Sequence, residues 1–366
     1  MNIKSYLIVT LVSSACCVSF QLTYASGWTE VPGPAVPSSY INGIAVLNDR
    51  NVWSVGRQIN GSNQTLIEHW DGRSWSVVSS PNPFPSLNIL NGVTALAPDN
   101  LWAVGYGAQG DAKTLVIHWD GAAWTSVPCP SMANLDNYLN AVRAVSPNDI
   151  WAVGYTDSPS GAHYFQPLAV HWDGTAWTIV PTPLSVGTQI RSVDVIAAND
   201  IWAVGSDING QDFVNSTTFT MHWDGATWSV VPSPNGPLAY NSLAGVSGAS
   251  SNDVWAVGTS GTDYLNTEAL AVHWDGAAWS VVITAPLSGI TGLTAVTTIA
   301  PNKAWAVGST DGQALIERWN GHSWRVAPLP ALQDPSGLGA ISTGRRGSLW
   351  TAGAQETGQL FLEMTR

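Results

Sequence analysis

"HWDGTAWTIVPTP" occupies residues 171–183, and close copies stand at 118–130 ("HWDGAAWTSVPCP") and 222–234 ("HWDGATWSVVPSP"). A second phrase travels with the first: "NVWSVG" at 51–56, "NLWAVG" at 100–105, "DIWAVG" at 149–154 and 200–205, "DVWAVG" at 253–258, "KAWAVG" at 303–308 and "SLWTAG" at 348–353. The tryptophans of these seven copies are 53, 102, 151, 202, 255, 305 and 350, spaced by 49, 49, 51, 53, 50 and 45 residues. A regular period of this length is the mark of a repeat architecture.

Each period reads as four strands. An apolar run such as "NAVRAV" (140–145) leads through "SPND" to "IWAVG". A variable polar loop precedes "PLAVHW" (167–172), and "DG" leads into "TAWTIVP" (175–181). We letter the strands a to d. Four antiparallel strands per period of about 40–50 residues describe a propeller blade. Strand b is apolar throughout rather than alternating, as expected when neighbouring blades cover both of its faces.

The two ends of the sequence decide the count. "SGWTEVPGP" (26–34) matches strand d with no a, b or c before it. "GQLFLEMTR" (358–366) aligns with the c strand "GQALIERWN" (312–320). The first fragment therefore completes the last blade, and the expectation is an all-β, seven-bladed β-propeller spanning 26–366 as one domain. All 20 tryptophans then have a slot: seven on b strands, six ending c strands and seven on d strands, Trp28 included.

Composition agrees. Charged residues are only 10%, the net charge is −12, and Lys4, Lys113 and Lys303 are the only lysines. Such a surface repels phosphate backbones and argues against nucleic acid as a partner. Residues 1–25 read as a signal peptide: Lys4 supplies positive charge, "YLIVTLVSSACCVSF" supplies a short apolar core, and "TYA" (23–25) supplies small residues before cleavage at Ser26. The apolar run is too short and interrupted for a membrane span. The expected location is secreted or periplasmic. Cys16 or Cys17 offers a lesser alternative, an N-terminal lipid anchor. After cleavage Cys129 is the only cysteine, so no internal disulfide is expected.

With the blade assembled, its strand grammar resembles the kelch-type repeat: an apolar b strand ending in glycine, a c strand ending in aromatic-Asp, and a Trp on strand d, the last two in order in "LAVHWDGTAWTIVPTP". The resemblance covers the whole mature chain and, with the style of the signal, implies a kelch-like bacterial propeller. It departs in carrying one glycine where kelch has a pair, and Trp where kelch has Tyr. The "WD" dipeptide resembles that of WD40 repeats, without their Gly-His, and the c–d turn is similar to the Asp-box of sialidase-type propellers.

The repeated polar residues read as scaffold. Asp71, Asp120, Asp173, Asp224 and Asp275 precede glycine, a hairpin signal, and Asn320-Gly321 fills the slot in copy six. His69, His118, His171, His222 and His273 precede the c-strand Trp, with Arg318 and Met364 in the last two copies. They sit on separate blades and do not converge as metal ligands would. No G-x-S-x-G, H-E-x-x-H or zinc-spaced Cys/His set is present, nor the arginine cluster of sialidases or the Tyr–Cys copper machinery of galactose-oxidase relatives. No cofactor, metal or catalytic residue is expected.

Function is expected where the copies differ. The b–c and d–a loops share one face and vary, notably "YTDSPSGAHYFQP" (155–167), "SDINGQDFVNST" (206–217), "TSGTDYLNTE" (259–268), "SMANLDNYLN" (131–140) and "SPNGPLAYNS" (233–242). Their candidate binding residues are Tyr138, Tyr155, Asp157, Tyr164, Asp207, Asp212, Tyr240, Asp263 and Tyr264. Aromatic rings beside carboxylates suit sugars, because ring faces stack and acceptors take hydroxyls. The reading is a non-enzymatic binding module for a glycan or cell-surface carbohydrate. The alternatives are an extracellular protein partner on the same face, and a glycoside-acting enzyme.

Overall fold

The "WAVG" phrase lies on strand b of every repeat, and its residues are buried on both sides: Ile150, Trp151, Ala152 and Val153 are at most 3% exposed. In blade 3, strand a is Asp136–Ser146, b is Asp149–Asp157, c is Gln166–Trp172 and d is Trp177–Val180, each antiparallel to the next. The computed structural model describes residues 27–159, 164–208, 215–332, 335–344, 347–355 and 358–364, which contain strands and no helix.

Five sheets have four strands in this order, and one eight-stranded sheet is two blades touching through a single parallel bridge, Asn63 to Leu87. The result is the seven-bladed β-propeller. The ring closes as the two ends of the sequence require: Thr29–Glu30 adds to Gly358–Met364 as strand d of blade 7, pairing Thr29 with Glu363 and Glu30 with Leu362.

One alignment needs correction. On strand c of blade 7, Trp350 pairs with Glu363, as Trp151 pairs with His171 and Trp305 with Arg318. Glu363, not Met364, therefore holds the histidine slot, and Met364 holds the tryptophan slot. Blade 7 turns from b to c through a Gln355–Gly358 pair, against Thr310–Gln313 in blade 6. These two turns have the same length, so matching "GQ" at 358–359 to "GQ" at 312–313 slips the sequence alignment by one residue.

The core lies between blades, in seven clusters for seven interfaces. At each, the b-strand Trp of one blade meets the d-strand Trp of the next edge-on. Centroid distances run from 5.1 Å (Trp255–Trp324) to 5.8 Å (Trp53–Trp124). Both seam interfaces conform, with Trp305–Trp28 and Trp350–Trp75 each 5.7 Å apart. The c-strand Trp closes a triangle, as Trp223 does with Trp151 and Trp228. Each T-shaped pair adds about 0.5–1.5 kcal/mol beyond area burial. Between blades 6 and 7, Met364 takes the third place.

The two glycines of the repeat have separate causes. A Cβ on Gly154 would lie 1.9 Å from the Tyr138 carbonyl oxygen, and five other b-strand glycines meet the same wall. Strand a bulges beside it, between Leu139 and Ala141, and presses its backbone onto strand b. The second glycine follows the turn Asp. Gly174 has φ 94°, and Asp173 Oδ1 accepts the Thr175 and Ala176 amides at 2.8 and 2.9 Å. The hairpin is thus a four-residue loop capped by the Asp side chain, rather than a two-residue turn. Asn320 Oδ1 accepts the His322 and Ser323 amides in the same way, which explains why an amide replaces the acid.

Candidate functional site

The repeated histidines serve the scaffold. Each lies against the b-strand Trp of its own blade, stacked at 4.2 Å between centroids for His69 and Trp53 and tilted at 4.3–4.6 Å in the other four. Each Nε2 bonds the Asn or Asp at the head of strand b, at 3.1 Å to Asn51, 3.0 Å to Asn100, 2.8 Å to Asp149, 2.9 Å to Asp200 and 2.7 Å to Asp253. In blades 1 to 3 the same oxygen also accepts the Trp Nε1–H. Burial lowers the pKa of His69 and His118, so both are neutral near pH 7.

Asymmetry begins at the channel mouth on the variable-loop face, where strand a ends nearest the axis. Two slots face each other there: the residue after the b-strand glycine, and its partner on strand a. Blades 1 to 3 fill them with Tyr40 and Arg57, Ile89 and Tyr106, Tyr138 and Tyr155. Blade 4 has Gln189 and Ser206, blade 5 Ser242 and Thr259, and blade 6 Gly292 and Ser309. The mouth is therefore aromatic and basic on one side and small on the other.

The rings form one row. Tyr106 meets Tyr138 edge-on at 4.7 Å, Tyr138 meets Tyr155 at 4.9 Å, and Tyr155 meets Phe165 at 5.5 Å. Arg57 stands over Tyr40 at 4.8 Å and acts electrostatically on Tyr106, while Arg191 acts on Tyr155. Arg57 Nε is buried without an acceptor among the described residues. Burial pushes the Tyr155 hydroxyl up to about 12 and that of Tyr138 well above the ordinary phenol range, so both stay protonated donors. Asp136 and Asp157 act on both rings in the same direction.

Just inside the mouth, each strand a bulges one residue toward the axis. In blades 1 to 4 these are Asn42, Asn91, Asn140 and Arg191. The three asparagines stitch blade to blade, donating from Nδ2 to the carbonyls of Leu90, Leu139 and Ile190 at 2.8, 2.9 and 2.6 Å. Blades 5, 6 and 7 present Ala244, Thr294 and Gly339. Together they line a constriction of about 120 Å³.

Of the residues expected to bind ligand, the structure brings Tyr138, Tyr155 and Asp157 together. The others are apart. Tyr164 is 55% exposed beside buried Phe165. Asp207 accepts the Ser185 hydroxyl at 3.2 Å. Tyr240 opens strand a of blade 5 opposite Gly261. Asp263 folds its own loop, accepting the Leu265 and Asn266 amides, and leaves Tyr264 61% exposed. Asp212 lies outside the described residues. Five of these positions, Tyr138, Tyr155, Asp157, Asp207 and Tyr240, are on strands rather than in loops, because strands a and b run further toward this face than their apolar cores. Tyr40, Arg57, Tyr106, Phe165 and Arg191 were missed. A signal for two of them was present in sequence: the residue after the b-strand glycine is Arg57, Tyr106 and then the expected Tyr155 in three successive blades, and small thereafter.

The chain matches no known family model, and no curated protein resembles it in sequence. Its fold does match solved structures. "YCF48 bound to D1 peptide" is 15% identical with a TM-score of 0.60, over 94% of this chain and 97% of that one. The WD40 propeller domain of Doa1 is 11% identical with a TM-score of 0.61, over 93% and 98%. U3-55K is 9% identical with a TM-score of 0.60, over 92% and 98%. At such identities the likeness is one of fold: WD40- and YCF48-type β-propellers.

Proposed function

We propose that the protein is a non-enzymatic binding module that holds an extended segment of a protein partner across the channel mouth. One observation carries this reading: the continuous row Tyr106–Tyr138–Tyr155–Phe165, with Arg57 acting on Tyr106 and Arg191 on Tyr155, occupies only the blade 1–4 side. Rings in edge-to-face and tilted contact offer apolar surface with hydroxyl donors between, and the guanidinium groups take carbonyls or a carboxylate. The structurally similar YCF48 is described as bound to a peptide, which supports the same use of the fold. The glycan reading has less support, since Asp207 and Asp263 are engaged internally and the exposed Tyr164 and Tyr264 stand apart. The strand grammar remains kelch-like, and residues 1–25, outside the described residues, are read as an export signal cleaved before Ser26, with the Cys16 or Cys17 lipid anchor as its alternative.

The test screens residues 26–366 against a random-peptide display library and a glycan array side by side. The expected outcome is selection of a peptide motif whose binding falls at least about tenfold in Arg57→Ala and Tyr138→Phe, with melting temperature retained. Selection of a glycan and no peptide sinks the proposal in favour of carbohydrate. Peptide binding that ignores both substitutions places the site elsewhere.

A further inference from the structure

On the opposite face, where a–b and c–d turns repeat, blade 6 departs from a pattern that blades 3, 4 and 5 share. In blades 3, 4 and 5 the outer corner holds an Asp–His pair (Asp149–His171, Asp200–His222, Asp253–His273) and a turn aspartate (Asp173, Asp224, Asp275). Opposite each histidine on strand d stands a neutral hydroxyl residue, Thr178, Ser229 or Ser280. Blade 6 changes all four slots in one electrostatic direction. Lys303 replaces the Asp, Arg318 the His, Asn320 the turn Asp and Arg325 the hydroxyl residue.

The three cations are exposed and gathered. Slots 303 and 318 are those that touch at 2.7–2.9 Å in blades 3 to 5. Arg318 pairs with Arg325 directly across strands c and d, where like charges destabilise. Arg318 lies over Trp305 at 5.5 Å in place of the stacked histidine, and Arg325 Nε donates to the Ser323 hydroxyl at 3.1 Å. Among the described residues, none of the three has a carboxylate within ion-pair distance. The chain has 13 Lys and Arg against 25 Asp and Glu, so leaving three adjacent cations unpaired does not follow from a shortage of acids.

We propose that the blade 6 corner, Lys303–Arg318–Arg325, is a docking surface for an acidic segment of a protein partner. Two neighbouring guanidiniums present planar donor forks suited to carboxylates, and the lysine adds a mobile charge beside them. The corners of blades 3, 4 and 5 carry the Asp–His pairs and turn aspartates and turn away anionic segments that approach there, so the basic corner also sets the register of docking. The surface is on the face opposite the aromatic row and stands independently of what that row binds.

The experiment restores the repeat. The triple variant Lys303→Asp, Arg318→His, Arg325→Ser gives blade 6 the Asp, His and Ser of blade 5 and keeps Asn320 in the turn. Hexaglutamate and hexaglutamine peptides are titrated against the full mature chain at 20 and 300 mM NaCl, and thermal unfolding is followed in parallel. The expected result has three parts. The wild type binds hexaglutamate and not hexaglutamine. High salt weakens that binding at least about tenfold. The triple variant melts at or above the wild-type temperature yet loses the binding. Absence of hexaglutamate binding by the wild type at low salt overturns the proposal. So does a folded variant that binds as the wild type does.

Discussion

At the residue scale, the tryptophans divide by what their N–H groups find. Trp151 Nε1 donates to Asp149 at 3.0 Å, whereas the d-strand indoles of blades 1 to 6, Trp228 among them, are buried with Nε1 unpartnered among the described residues. Trp151→Phe should therefore cost roughly 1–2 kcal/mol more than Trp228→Phe, since only the first breaks a hydrogen bond to a charged group. Urea unfolding of the two variants measures the difference, and equal costs would refute the division. The tryptophan slots were legible because the spacing gives them directly. Two carboxyls were not. Glu68 and Glu317 occupy c-strand slots that hold Ile117, Val170, Met221 and Val272 in other blades, and both are fully buried. Glu68 Oε2 accepts the Ser54 hydroxyl at 2.9 Å and Glu317 Oε2 the Ala285 amide at 3.1 Å, while neither Oε1 has a hydrogen-bond partner among the described residues. Burial raises each to about 7 from 4.5. Because the folded value is the higher one, each glutamate's stabilising share is complete below pH 4.5 and is lost as pH rises through 7. A shift of this size is worth about 3 kcal/mol per group. Glu68→Gln should thus gain stability over wild type at pH 8 and gain little at pH 4.5. Comparing variant with wild type cancels the opposing terms of His69 and His118, whose lowered pKa values make acid destabilising. A gain independent of pH would show that Glu68 is not protonated in the fold.

At the scale of the element, the c–d turn is a device of one oxygen and two amides. Asp224 Oδ1 accepts both the Ala226 and Thr227 amides at 2.8 Å, and Asn320 does the same work uncharged. Asp224→Asn should be close to neutral, and Asp224→Ala should cost about 0.5–2 kcal/mol, the range of a lost side-chain cap. Equal losses for Asn and Ala would mean that the charge rather than the acceptor geometry matters. The turn's position was readable from Asp-Gly, but its four-residue form was not, because the capping bonds come from the side chain rather than the backbone pair. The binding residues show the same limit. Tyr138 and Tyr155 were sought in loops, yet they pair with each other on strands a and b. Polar and aromatic residues at a strand's end break the apolar pattern, so sequence reading stops the strand early. The row they form with Tyr106 also needs neighbouring blades side by side, which no single repeat reveals.

At the scale of the whole molecule, the ring depends on a two-residue strand. Thr29–Glu30 makes the last sheet pairing, and its flanks carry Trp28 and Val31, exposed by only 2% and 8%. Trp28 packs against Trp305 of blade 6, while Val31 joins the blade 7–1 cluster with Trp75 and Trp350. This short segment therefore bridges both interfaces of blade 7. Gln359 of that blade adds a bond from Nε2 to the Ser39 hydroxyl of blade 1 at 2.8 Å. Removing residues 26–34 exposes the edge of Gly358–Met364 and opens a cavity beside Trp305. Loss of a buried Trp alone costs about 3–5 kcal/mol. At about 2–4 °C per kcal/mol for chains of 150–250 residues, and somewhat less for a longer one, the deletion should lower the melting temperature by at least about 5 °C. Trp28→Ala keeps the backbone pairing and should recover only part of that loss, separating the strand's hydrogen bonds from its anchor. A deletion that melts with the wild type would leave the ring closed without this strand, and the seam would then have to be sought elsewhere.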